Sequence, residues 1–199
     1  MLMTHHRKNP ALRPDREPHQ IRGFSLIEVL VTIVILLIGL LGLAGLQGRA
    51  LNAQMEAYQR SQALVLVKDM AGRIEANRKN ASAYINNNPL GVGGTCPSGT
   101  TRAELDLCDW HNALLGTAET QGTANVGAMI GARGCVYEIA APASGVPGEY
   151  RVAVAWQGLN STFAPTIPCG ANQYPNTTSP KEALRRLVAL PVSIADLKD

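Results

Sequence analysis

Much of the usual equipment of an enzyme is missing from this chain. Beyond residue 19 it has a single imidazole, His111, because His5, His6 and His19 all lie in the first stretch. No G-x-S-x-G elbow accompanies that histidine, so a Ser-His-Asp device would need partners from loops that mark none; a surface histidine on a short helix is the plainer reading. The four cysteines include no CxxC pair, which is poor spacing for zinc. Gly91-Val92-Gly93-Gly94 lacks both a following Lys-Ser/Thr and a preceding strand, so it is no phosphate cradle. No internal repeat is evident. Charge of one sign is lacking too: five of the 18 basic residues and two of the 15 acidic ones fall in residues 1–23, leaving 13 of each beyond. That balance gives no bulk attraction to nucleic acid. The expectation is a non-enzyme with no metal and no cofactor.

What the chain does have is one long apolar run. From Val29 to Leu46 only Thr32 is polar, and eighteen residues rising about 1.5 Å each nearly cover a hydrocarbon core of roughly 30 Å. A membrane helix follows. Glu28 sits at the mouth of this run, where a charge costs a few kcal/mol or more unless it meets a partner or reaches the interface. Arg7, Lys8, Arg13, Arg16 and Arg22 precede the run and few basic residues follow it closely, which puts the N-terminus in the cytoplasm and everything after Gly48 outside. Residues 1–23 contain no apolar h-region, so they are not a secretory signal of the usual kind.

All four cysteines lie in the exported part, where an even number reads as two disulfides. Three pairings are open. Sequential pairing, Cys96 with Cys108 and Cys135 with Cys169, is favoured because each bridge then staples one loop without crossing. Such closures stabilise by about 3 and about 4 kcal/mol in the chain-entropy model.

The hexapeptide Gly23-Phe24-Ser25-Leu26-Ile27-Glu28 resembles the type III signal of type IV pilins and pseudopilins. That resemblance implies cleavage by a prepilin peptidase between Gly23 and Phe24, N-methylation of Phe24, and a role in subunit assembly for Glu28, which would meet the terminal amine of a neighbouring subunit. A buried acid beside a cation is physically tolerable, and loss of either partner is severe. The rival reading is a signal anchor with an incidental glutamate. Further along, Lys68 to Arg78, Leu105-x-x-Cys108-x-Trp110 and Tyr150 to Gly158 are similar to stretches of the PilV group of minor pilins.

Four segments are expected: a leader at 1–23 that is removed, a membrane or filament-core half-helix at 24–48, its amphipathic continuation at 49–80, and a globular domain at 81–199. One helix from Phe24 to about Asn77 would be about 80 Å long, with Leu64, Val67, Ala71 and Ile74 on one face. Glycines 39, 42, 45 and 48 mark either close helix contacts in the membrane or a weak section, Ile38 to Gly48, that stretches on assembly. A loop is predicted from Ala83 to Thr101, then a short helix to Gly116 with Leu105, Leu114 and Leu115 buried and Glu104, Asp106 and Asp109 near its positive end. Gly134 to Ala140 and Tyr150 to Trp156 make an antiparallel hairpin about a turn at Pro142 to Gly148, with Tyr150, Val152, Val154 and Trp156 on one face. A loop at Thr162 to Ser179 holds Cys169. Arg185 to Val192 is a last strand that ends at Pro191 or lies at an edge, and Lys181, Arg185 and Arg186 are read as its solvated face.

The fold class expected is therefore α+β, a long N-terminal helix packed on a small antiparallel sheet. The function implied by the resemblance is a minor pilus subunit, first in the inner membrane and then at the cell surface. Its partners would be prepilin peptidase and other pilins. The alternatives are a minor pseudopilin of type II secretion and a membrane-tethered binding protein that never polymerises.

Overall fold

The computed structural model describes residues 23–125, 127, 129–143, 146–175 and 182–195. Residues 1–22 of the expected leader, Lys181, and the end of the loop expected at Thr162 to Ser179 lie outside the described residues. Two compact units are present, residues 1–46 and 47–199, and the first helix, α1 (Leu26–Ala76), contributes to both.

In the first unit every described residue is exposed. Among the described residues α1 is the helix long and apolar enough to cross a membrane. The one hydroxyl of the apolar run, on Thr32, donates to the Val29 carbonyl at 2.8 Å, the satisfaction a polar group needs in hydrocarbon. The helix is unbroken at Gly39, Gly42 and Gly45, and a side chain at any of them would meet open space.

In the second unit α1 buries Gln59, Ala63, Val67, Met70, Ala71 and Ile74, a stripe at helical spacing. Leu64, expected on this face, is 41 % exposed; it lies about 100° round the helix from Ala63. The small Ala63 and the overlooked Met70 form the face in its place. The helix stops at Ala76, short of residue 80, and a 3₁₀ segment, Arg78–Tyr84, turns the chain and buries Tyr84. Inside the predicted loop a two-residue strand, β1 (Leu90–Gly91), joins the sheet.

The second helix, α2 (Arg102–Leu115), has the boundaries its sequence announces. Thr101 caps it in a reciprocal capping box with Glu104, and Gly116 ends it at φ 65°. Its buried face is Ala103, Asp106, Leu107, Trp110, His111 and Leu114. Leu105 is 50 % exposed and Leu115 only half-buried, so those two expectations fail: the face is set by Trp110, whose indole nitrogen donates to the Leu66 carbonyl at 3.0 Å.

A two-residue hairpin, β2 (Thr120–Gln121) and β3 (Ala124–Asn125), follows. The main sheet is completed by β4 (Arg133–Ala140), β5 (Gly148–Gln157) and β6 (Arg185–Ile194), all antiparallel in the order β1-β4-β5-β6. Val136 faces Val152, and Val154 faces Val188 across the ladder. Pro191 does not end β6: the strand runs three residues further and tolerates proline because it is the edge. On β5 Tyr150, Val152, Val154 and Trp156 join the main core as their alternation predicts. Ala153 and Ala155 are buried as well, under a second cluster with Cys135, Cys169 and Tyr174. The long loop after β5 therefore covers the sheet's other face.

Candidate functional site

Gly23, Phe24 and Ser25 precede the helix without regular structure, and α1 starts on the Ser25 carbonyl, which accepts from the amides of Glu28 (3.0 Å) and Val29 (3.3 Å). Glu28 thus lies in the first turn, where the helix dipole favours a carboxylate. Among the described residues no cation pairs with it. Phe24 is 82 % exposed and the apolar side chains behind it, Leu26, Ile27, Leu30 and onward, are open too. This end of the chain presents an accessible small–aromatic junction, a carboxylate one turn on, and a strip of uncovered hydrocarbon.

The second unit is held by charged groups acting at long range in sequence. Asp106, 2 % exposed, takes the Tyr84 hydroxyl at 2.6 Å and ion-pairs with Arg73 at 3.0 Å and Arg102 at 3.1 Å. It joins α1, the 3₁₀ segment and α2. Burial alone would lower the Arg73 pKa, but Asp69, Asp106 and Asp109 outweigh it and raise the value. Burial and the bond to Asp106 raise that of Tyr84. Asp106 is thus a structural ion and no mere complement to the helix end.

His111 is likewise not the surface residue expected. It is 6 % exposed, and its Nδ1 accepts the Gly91 amide at 3.1 Å, which fastens β1 to α2. Desolvation lowers its pKa. The imidazole is committed to the fold.

Two clamps fix the sheet's edge. Glu56 on α1 accepts from the amides of Leu159 and Asn160, each at 3.0 Å, and from Arg186 at 3.3 Å. Burial pushes its pKa up, but the Asn160 amide, Arg186 and the Leu159 amide overcome this and hold it low. Arg185, 3 % exposed, donates to the carbonyls of Pro165, Ile167 and Cys169 at 2.7–3.1 Å and pairs with Glu182 at 2.9 Å. The reading of Arg185 and Arg186 as a solvated face is therefore overturned. Both point inward because the loop after β5 offers carbonyls that only a guanidinium can gather.

Cys135 on β4 is bonded to Cys169 in this loop, and Cys96 to Cys108 on α2, with Cα separations of 5.8 and 4.8 Å. Among the described residues no group of His, Cys, Asp and Glu could hold a metal ion.

Residues 19–44 match the prokaryotic N-terminal methylation motif, and residues 45–96 match the family described as type IV pilin Tt1218. The N-terminal part of the chain is type IV pilin-like. No curated protein and no solved structure matches it. The pilin-like segment takes in all of α1, the 3₁₀ segment and β1, and the methylation motif implies prepilin peptidase processing and assembly with other pilins. An α+β pilin fold, a membrane-anchoring helix and a structural role agree with it. Sequence reasoning missed Asp106, His111 and Arg185 as structural groups; buried partners distant in sequence leave no local pattern.

Proposed function

We propose that the chain is a minor type IV pilin of the PilV kind. It is inserted once in the inner membrane with its N-terminus in the cytoplasm, cleaved between Gly23 and Phe24 by prepilin peptidase and methylated at Phe24. It then enters a pilus, or the complex that starts one, beside major and other minor pilins. The observation that carries this reading is the methylation motif at residues 19–44 laid over the first half of α1, where every described apolar side chain is uncovered. A carboxylate that pairs with no cation among the described residues, one turn behind the cleavage junction, is suited to a neighbour's Phe24 amine: a charge leaving water needs a counter-charge. The exported domain then modifies adhesion or motility by what its loops display.

The test is the Glu28→Ala chain expressed beside the wild type, with cells lacking prepilin peptidase as reference. Both chains should show the mobility shift of a lost leader, and the variant should be depleted at least several-fold from sheared surface fibres. Equal incorporation refutes the Glu28 pairing. A processed chain that never reaches fibres but supports secretion identifies a pseudopilin, and a retained leader identifies a tethered protein.

A further inference from the structure

One buried cation in the second unit has no counter-charge among the described residues. Arg133, at the start of β4, is 9 % exposed. Its Nη1 donates to the Gly131 carbonyl at 3.0 Å and its guanidinium carbon lies 4.8 Å from the centre of the Tyr174 ring. The ring is itself fixed, because the Tyr174 hydroxyl donates to the same Gly131 carbonyl at 2.9 Å. Among the described residues no carboxylate pairs with Arg133, whereas Arg185, 3 % exposed, is answered by Glu182. Buried guanidinium groups ordinarily have such a partner.

The free side of Arg133 borders a cavity of about 240 Å³ lined by the 88–95 segment and by Gln173, beyond Cys169. Gly93, at φ 80°, lies beside Nη2, to which a side-chain carbon there would make an ordinary contact at 3.9 Å. Asn88, Thr95 and Gln173 bring amides and a hydroxyl to a wall that Pro89 and Val92 share. Arg133 is held in that wall by its bond to the Gly131 carbonyl and its stack on Tyr174.

We propose that this cavity binds a sugar acid through its carboxylate. The planar fork of Arg133 suits a carboxylate bidentately. A single cation balances one negative charge, which favours a carboxylate over a doubly charged phosphate. The neutral amides and hydroxyl around it match sugar hydroxyls, and the volume suits one monosaccharide. Binding supplies the missing counter-charge in a site that already exists, on the exported face of the molecule.

The test titrates the full chain in detergent micelles with glucuronate, glucose and inorganic phosphate, following amide shifts of Gly93 and Thr95 by NMR. Glucuronate should saturate in the millimolar range and bind about tenfold or more tighter than glucose, the usual order for losing a charge-assisted hydrogen bond. Arg133→Gln should lose that advantage. Because this variant also removes the Arg133–Tyr174 stack at the start of β4, Gln173→Glu is the second arm. Gln173 is exposed, and a carboxylate there answers Arg133 from within, so the chain should stay folded yet bind glucuronate at least tenfold more weakly. Equal binding of glucuronate and glucose, no binding of either, or wild-type affinity in folded Gln173→Glu overturns the proposal. Phosphate binding as tightly as glucuronate overturns the sugar-acid assignment.

Discussion

Three side chains decide how the second unit holds together, and each reads in the sequence as something else. Asp106 looks like an acid complementing the start of a helix, His111 like a surface residue, and Arg185 like part of a solvated strand. In the fold each is buried against groups 16 to 33 residues away, and no local spacing encodes such a distance. Removing the Asp106 carboxylate leaves Arg73 to Asp69 and Asp109 alone and takes from the Tyr84 hydroxyl its short, buried acceptor. Asp106→Ala should therefore cost about 1–3 kcal/mol, seen as a lowered denaturant midpoint by tryptophan fluorescence. The His111 effect depends on pH. Burial sets its folded pKa below the ordinary value of about 6.5, so the unfolded chain takes up the proton first. Stability is then full above about pH 6.5 and is lost as pH falls through the lower folded value. His111→Gln should flatten the dependence between about pH 7 and the folded pKa. Loss through Glu56, whose pKa is held below 4.5, belongs to a separate and more acidic window.

Elements were legible where the backbone needs a particular residue or where one face alternates. The ends of α2 follow from Thr101, Glu104 and Gly116, and the β4–β5 hairpin from its alternation and its Pro/Gly turn. The strands β1, β2 and β3 have two residues each, too few to show a period. Burial of both faces of β5 was hidden because Ala153 and Ala155 look like the small outward members of an alternating strand. What covers them is the loop closed by Cys135 and Cys169. Arg185 still gathers that loop's carbonyls without the bridge, so its removal should act mainly on the unfolded chain. Replacing both cysteines with alanine should lower stability by up to about 4 kcal/mol, against about 3 for the shorter closure at Cys96 and Cys108. Matched denaturation curves of the two double variants would check the order. A larger loss at Cys96 and Cys108 would mean that native-state packing, not loop entropy, sets the scale.

For the molecule as a whole, one chain meets two solvents with separate sets of residues. The apolar half of α1 was readable from composition alone, because a hydrocarbon environment asks only for length and the absence of charge. The exported domain is a different case, since its stability comes from contacts that bring distant segments together. The two sets do not overlap: the first buried residue of α1 is Gln59, and both disulfides and both core clusters lie beyond it. A chain beginning at residue 49 therefore keeps the Glu56 clamp, the Asp106 network and the whole sheet, and sheds the uncovered strip that demands lipid or neighbours. Such a fragment should be soluble without detergent, sediment as a monomer, and unfold within about 0.5 kcal/mol of the full chain in micelles, as expected when only exposed residues are removed. It should also be absent from sheared fibres even with the domain intact. If the fragment unfolded or aggregated, the apolar half-helix would have to support the domain as well as anchor it, and the division of labour along α1 would be wrong.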